Sequence, residues 1–427
     1  MQIGEPRRVA IVGANRIPFA RSNTAYADLS NQTMLTDTLR GLIEKCGLKG
    51  EKLGEVAGGA VQKHASDWNL VRESVLGCGL DPHTPAYDIQ QACGTSLEAT
   101  ILVANKIALG QIDCGIACGT DTTSDIPMGA SHDLRRALVK LNAARTTGDR
   151  LKAALKLLNP KHLVPEMPTG AEPRTGKTMG QHAQITAKKF GISREAQDEL
   201  ALASHQNLAE AYDAGFFDDL VMPYHGLKRD NNLRADATLE KMAKLKPAFD
   251  REHGTITAAN ATPFTDGASA VLLASEDWAR ERDLPILAYI TSGEVAAVDY
   301  VDGNEGLLMG GAYAIPRMLA KRGLSLQDFD YYEIHEAFAA VVLCTLAALE
   351  SDEFCREKLG LEQALGSIDR SKLNVKGSSI ATGHPFAATG GRIVATLAKI
   401  LNEKGSGRGL ISVCAAGGQA VTAILEK

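Results

Sequence analysis

The sequence predicts an α/β protein of two similar halves with a mostly helical insertion between them. Three observations carry that expectation. Short apolar runs alternate with stretches of helical period along most of the chain. Two distant regions repeat the same order of features, and the segment between them shifts in composition toward Lys and Arg.

In chain order, Arg8–Val12 is an apolar run that reads as a strand, and Thr33–Lys45 has helical period. Ser96–Ala108 reads as a helix, and Gly115–Cys118 opens a further strand. Val271–Ala274 is a short apolar strand after the turn-rich TPFTDGAS. In the last third, Leu287–Thr291 and Tyr331–Ile334 read as strands, Ala312–Lys321 and Phe338–Leu349 as helices. Gly390–Leu401 is a last helix, followed by the strand Gly409–Val413.

The repeat runs as follows. Cys93 precedes a helix and then GQIDCGIACGTD; His384 precedes a helix and then GSGRGLISVCAAGG. Each copy has a reactive-type residue, a helix, a Gly-containing turn, and an apolar strand ending in Cys and small residues. Matching order with weak identity suggests an internal duplication, which would bring the two helix starts toward a shared centre. The expected division is an N-terminal half, 1–125, completed by 251–280. An inserted segment, 126–250, and a C-terminal half, 281–427, make up the rest.

Within the insertion, residues 134–161 carry eight Lys/Arg against one Asp. Leu134, Leu138 and Leu141 fall at i, i+4, i+7, as do Leu151, Leu155 and Leu158. That is the pattern of two amphipathic helices separated by the TTGD turn. The plain expectation is a hairpin packed on the body with a solvated basic face. The others are contact with an anionic membrane surface, a partner, or ligand phosphates.

Bulk properties exclude several classes. A chain of 427 residues exceeds one small core. Its 44% hydrophobic and 23% charged content is ordinary for a globular protein. A net charge of -5 gives no reason to expect a nucleic-acid partner. Eight cysteines without a CxxC pair are no disulfide framework or zinc site, and Cys114 and Cys118 read as core. A reducing, cytoplasmic compartment fits, or a mitochondrial matrix if the chain is a processed eukaryotic one. The N-terminus reads as a first strand rather than a signal or transit sequence. No apolar run approaches the roughly 18 residues of a membrane span.

Three motifs resemble sites and are rejected. TGAEPRTGKT spaces Gly170 and Gly176 one residue too far apart for a P-loop and contains Pro173. HEAFA has Ala339 where a zinc HExxH helix needs its second His. GSGRG lacks the spacing of a dinucleotide fingerprint. No metal and no prosthetic cofactor is expected.

Four segments share one style, a reactive residue within Gly, Ala, Ser and Thr. They are QQACGTS around Cys93, IHEAFAA around His335, ATGHPFAATGG around His384, and VCAAGGQ around Cys414. Small neighbours let a substrate approach the backbone closely, which core packing does not require. Cys93 just before a helix would feel the positive end of its dipole, favouring thiolate. A thiolate is both nucleophile and leaving group, as reversible acyl transfer requires. His384, held extended by Pro385, suits a base that activates a thiol.

CGTS, HEAFA, GHPFAATG and CAAGG, in this order and near these spacings, resemble the thiolase family over essentially the whole chain. ITAANATPFTDGAS and the TGKTMGQHA segment, similar to that family's substrate-gating loop, add to the resemblance. It implies a five-layered α-β-α-β-α fold of two duplicated halves with an inserted loop domain. It further implies Cys93 as the acylated nucleophile, and His384 as its activating base and an oxyanion donor. Cys414 is implied as the second acid/base, acting on the α-carbon of the acetyl unit. His335 stands where most thiolases carry an Asn that orients an oxyanion-hole water. The backbone N–H groups of Cys93 and Ala416 would form the other oxyanion hole. Met179, Ala258, Thr262, Ala337 and Phe338 match positions lining the coenzyme A and acyl channel.

Two departures stand out. Gln90 replaces the usual Asn three residues before the nucleophile, and Ala416 stands where many members have Gly. HEAF, DIQQACGT and the basic insertion together resemble the branch of trifunctional-complex β-subunits and bacterial fatty-acid-oxidation 3-ketoacyl-CoA thiolases. The implied reaction is CoA-dependent cleavage of 3-ketoacyl-CoA, with CoA as substrate. Also implied are a homodimer or tetramer, an α-subunit with hydratase and dehydrogenase activities, and membrane contact through 134–161. An acetoacetyl-CoA thiolase working in the condensing direction is the alternative within the family. A decarboxylating ketosynthase would leave Cys414 without a role, and an interaction subunit would not need four competent groups.

Overall fold

The computed structural model describes residues 5–157, 160 and 164–427. Its described strands are β1 (Val9–Arg16), β2 (Ala20–Arg21), β3 (Glu55–Gly58), β4 (Ala86–Asp88) and β5 (Cys114–Asp121). They continue with β6 (Thr265–Ser275), β7 (Ala288–Ala297), β8 (Tyr331–Ile334), β9 (Arg408–Ala415) and β10 (Gln419–Glu426). They run in the order β4-β3-β5-β6-β1-β7-β10-β9-β8, with the short β2 on β6.

The topology repeats about the β1–β7 junction. Outward from β1, neighbours β6 and β5 are antiparallel and β3 is parallel; outward from β7, β10 and β9 are antiparallel and β8 is parallel. Between β1 and β7 the described ladder pairs just Ala10 with Tyr289 and Ile11 with Ala288. Each side is therefore its own layer, joined at one narrow seam. Helices α1 (Asn31–Lys45) and α2 (Leu70–Cys78) cover the first. Helix α3 (Thr95–Ala108) touches strands of both sides.

In the insertion, α4 (His132–Ala143) and α5 (Thr147–Leu157) form a hairpin, followed by α6 (Met179–Lys189), α7 (Arg194–Asp213) and the short α8 (Leu239–Ala243). Beyond it come α9 (Glu276–Arg280), α10 (Gly310–Arg322), α11 (Ala339–Glu350), α12 (Asp352–Leu359) and α13 (Ser379–Thr382). The last, α14 (Thr389–Lys404), joins α3 in the middle layer, while α10 covers the second sheet. The result is the five-layered α-β-α-β-α arrangement.

Strands covered on both faces need no polar face, so β1 and β6 are buried along their whole length. Leu97, Val103, Ile107, Ile393, Leu397 and Leu401 fill the middle layer from α3 and α14. Fully burying one such side chain contributes about 1.5–3 kcal/mol. The outer cores are separate: Leu35, Leu39 and Val75 on one side, Met318, Leu319 and Phe329 on the other. Cys114 and Cys118 lie buried in β5, as core residues.

The basic hairpin differs from its expected form. Thr147-Gly148-Asp149 begins α5 instead of forming the turn, because the Thr146 hydroxyl accepts a hydrogen bond from the Asp149 N–H at 3.1 Å and caps the helix. The helices meet through buried Ala137 and Ala153, whereas Leu138, Leu151 and Leu155 are exposed. Small residues allow the closest approach and take the interface, with Leu134 and Leu141 half-buried beside it. Leu158, the last of the periodic leucines, lies outside the described residues.

Candidate active site

The turn before α3 presents Cys93. Ala92 adopts φ 46°, a left-handed conformation costing a residue with a Cβ on the order of 1–3 kcal/mol. Thr95 holds this turn: its hydroxyl accepts from the Gln91 N–H at 2.9 Å and donates to the Ala92 carbonyl at 2.7 Å. Gly94 is required because a Cβ there would lie 2.7 Å from a Val421 methyl.

His384 arrives from the equivalent turn before α14. Its Nε2 lies 3.0 Å from the Cys93 Sγ, and its Nδ1 lies 2.6 Å from the Thr389 hydroxyl. The Thr265 hydroxyl accepts from the His384 N–H at 2.7 Å. With the thiol proton directed at Nε2, the ring proton belongs on Nδ1, donated to Thr389. Thus Thr389 presents the bare nitrogen to the sulfur, a role that sequence reasoning missed although Thr389 lies within GHPFAATGG.

Electrostatics corrects one expectation. Cys93 remains partly accessible, as an attacking atom must be, but burial pushes its thiol up to about 12. Burial, reinforced by the Arg392 charge, lowers His384 to about 3. The resting pair is a neutral thiol and a neutral imidazole. The 3.0 Å contact would let the thiol proton pass to Nε2. The N–H groups of Ala416 and of Cys93 itself favour the charged sulfur.

His335 follows β8, its N–H bonded to the Ser412 carbonyl at 2.8 Å. Its ring centroid is 4.2 Å from that of His384. Burial, then the neighbouring His384 and Arg392, keep His335 neutral. Ligand-type atoms of Cys93, His335 and His384 all fall within 4.8 Å of one another.

Cys414 ends β9 and is buried in an apolar cluster with Ala337, Phe338 and Met179. Burial and the adjacent Cys93 raise its thiol well above the usual range. It is thus a protonated thiol in apolar surroundings. The following turn reverses the chain through Gly417 at φ 79° and Gly418 at φ 73°. Glu172 anchors that turn, accepting from the Gly417 N–H at 2.9 Å and the Tyr300 hydroxyl at 3.0 Å. Nothing in the local sequence around Glu172 signals this.

The other channel candidates divide. Thr262 bonds the Ala337 carbonyl through its N–H at 3.1 Å and its hydroxyl at 3.2 Å, adjoining the apolar cluster. Ala258 is exposed in the preceding loop, outside that cluster.

A thiol against a neutral imidazole, a second buried thiol and nearby backbone N–H donors form a site able to carry acyl transfer. Residues 9–277 match the model of the thiolase N-terminal domain, and residues 284–427 that of the C-terminal domain. The chain belongs to the thiolase family and is an acyltransferase. It is 44% identical to the 3-ketoacyl-CoA thiolase of Yersinia pestis strain Pestoides F over 98% of this chain and 97% of that protein. The crystal structure of human mitochondrial 3-ketoacyl-CoA thiolase superposes with a TM-score of 0.80 at 29% identity, covering 99% of this chain and 100% of that one. The Bacillus anthracis acetyl-CoA acetyltransferase superposes at 0.81 with 29% identity, covering 99% of each chain.

Proposed function

We propose that this protein is a 3-ketoacyl-CoA thiolase, cleaving 3-ketoacyl-CoA with CoA to acyl-CoA and acetyl-CoA in fatty-acid β-oxidation. The carrying observation is the 3.0 Å contact between Cys93 Sγ and His384 Nε2, with a second protonated thiol, Cys414, beside it. His384 takes the Cys93 proton as the sulfur attacks C3 of the substrate. The C2–C3 bond breaks, the acyl group stays on Cys93, and the acetyl-CoA enolate takes a proton from Cys414. CoA then attacks the thioester and Cys93 leaves as thiolate. The proton of the incoming thiol and the one on His384 return to the two cysteines, so both end as thiols.

The Cys93 and Ala416 N–H groups serve the tetrahedral oxyanion, and His335 serves the enolate. Met179, Thr262, Ala337 and Phe338 line the acyl side, with Ala258 at the rim. The full 3-ketoacyl-CoA thiolase length of the Yersinia relative supports this reading. So does the human mitochondrial 3-ketoacyl-CoA thiolase solved with CoA, superposing at 0.81 with 28% identity. The working division is 1–125 with 251–280, 126–250, and 281–427.

The exposed leucines of the basic hairpin support contact with an α-subunit or an anionic membrane surface, and the protein acts as a homodimer or tetramer in the cytoplasm. Among the described residues no helix is long and apolar enough to cross a membrane.

CoA-dependent cleavage of substrates from acetoacetyl-CoA to long-chain 3-ketoacyl-CoA tests the reading, beside Cys93→Ala. Activity on longer chains that the variant loses is expected. Activity confined to acetoacetyl-CoA would instead favour an acetyl-CoA acetyltransferase.

A further inference from the structure

The structure holds a buried polar chain behind the active site that the proposed mechanism does not use. Arg392, on α14, is 1% exposed. Its Nη2 donates to the Ser379 hydroxyl at 2.6 Å, and its Nη1 reaches the Ser378 hydroxyl at 3.3 Å. The Ser379 Oγ in turn lies 2.7 Å from His335 Nδ1. His335 Nε2 is buried and has no protein partner among the described residues.

Donor and acceptor bookkeeping orients this chain. A guanidinium donates only, so one lone pair of Ser379 Oγ receives the Arg392 hydrogen. The single hydroxyl hydrogen of Ser379 is then left for Nδ1, its other partner. With Nδ1 as acceptor that hydrogen is satisfied, and the one ring proton of neutral His335 resides on Nε2. That N–H is the orphaned group, on a ring whose centroid lies 4.2 Å from that of His384 and which offers a nitrogen within 4.8 Å of the Cys93 sulfur. A buried donor without a protein partner is costly to leave unmade.

Nearby carboxylates do not compete for the Arg392 hydrogens. Glu336 accepts from Ser204, Asn374 and the Ile380 N–H. Both oxygens of Glu333 lack a hydrogen-bond partner among the described residues.

We propose that Arg392 and Ser379 are positioning residues that fix the tautomer of His335, making it an Nε2–H donor to the substrate enolate. This rests on the thiolase reading and specifies how that reading's His335 works. Neither positioning residue touches substrate.

Ser379→Ala tests the idea in the full-length enzyme, because it removes only a hydroxyl. Two reactions are compared: cleavage of 3-ketoacyl-CoA, which forms an enolate, and exchange of label between acyl-CoA and CoA, which does not. Cleavage kcat is expected to fall about tenfold or more, up to the roughly hundredfold or greater loss of an oxyanion donor. KM and the exchange rate should stay within about twofold, and Ser379→Thr should restore cleavage. Adding Ser379→Ala to His335→Ala should cause no further loss.

Wild-type cleavage unchanged in Ser379→Ala would overturn the inference, as would a parallel fall in exchange. A wild-type protein that performs exchange but never cleavage would instead overturn the thiolase reading itself.

Discussion

Gly390 of α14 lies directly against Leu97 of α3, so that a Cβ built on Gly390 would collide with the Leu97 backbone nitrogen. Beside it, the Gly391 N–H donates to the Ser96 hydroxyl at 2.8 Å. The two helices that follow Cys93 and His384 thus touch at their N-termini. This crossing is why residues 291 positions apart meet within hydrogen-bonding distance.

Gly390→Ala tests that crossing. Helix propensity alone favours Ala by roughly 0.5–1 kcal/mol. The clash is with backbone, which cannot rotate away, and overpacking costs about 1–3 kcal/mol. The clash therefore wins. The variant should melt at a lower temperature and lose acyl transfer, while an unchanged melting temperature would show that the helices separate freely.

Cys414→Ala separates the two thiols by role. Carbon–carbon cleavage needs a proton for the enolate, whereas exchange between acyl-CoA and labelled CoA does not. The variant should lose cleavage by at least about a hundredfold, the scale of general acid–base catalysis, and retain exchange. Loss of both reactions with intact folding would assign Cys414 to thioester chemistry instead.

The pH profile follows from His384. Its value is lowered to about 3 from 6.5, so the imidazole stays neutral and able to accept a proton throughout the ordinary histidine range. Activity limited by this base is present above the folded value and lost only as pH falls toward it. Measured kcat/KM should show no decline centred near 6.5. Such a decline would mean that the base is solvated before substrate binds.

Glu333 couples stability to pH in the opposite direction. Burial raises its carboxyl to about 8 from 4.5, against the attraction of Arg392. A raised acid favours folding fully below its unfolded value and loses that contribution as pH rises through the folded one. Glu333→Gln stays neutral throughout. Its melting temperature relative to wild type should rise between about 4.5 and about 8 and then level off. A pH-independent offset would contradict this.

The chemical residues were legible because close substrate approach leaves a compositional mark. Cys93, His335, His384 and Cys414 each sit among small residues; the first three offer atoms within 4.8 Å of one another, and Cys414 feels the charge of the adjacent Cys93. Their surroundings were less legible. The strand expected at Val271–Ala274 extends over Thr265–Ser275, because the polar Asp266 is buried against the N–H groups of Thr123 and Ser124. Strand β10 went unrecognised because the CAAGG motif masks a hairpin turn. Ser379, Arg392 and Glu172 act through tertiary partners far away in sequence, which no local pattern reports. The leucine period of residues 134–155 marks two helices, but of its leucines Leu134 and Leu141 are half-buried while Leu138, Leu151 and Leu155 are exposed.

The account stands on a covalent acyl group at Cys93, and mass spectrometry tests that directly. The protein is mixed with an acyl-CoA in the absence of free CoA, quenched in acid and digested. One acyl group on the peptide containing Cys93 is predicted, absent from Cys93→Ala. An acyl group on Cys414, or turnover with no adduct on any cysteine, would contradict the account.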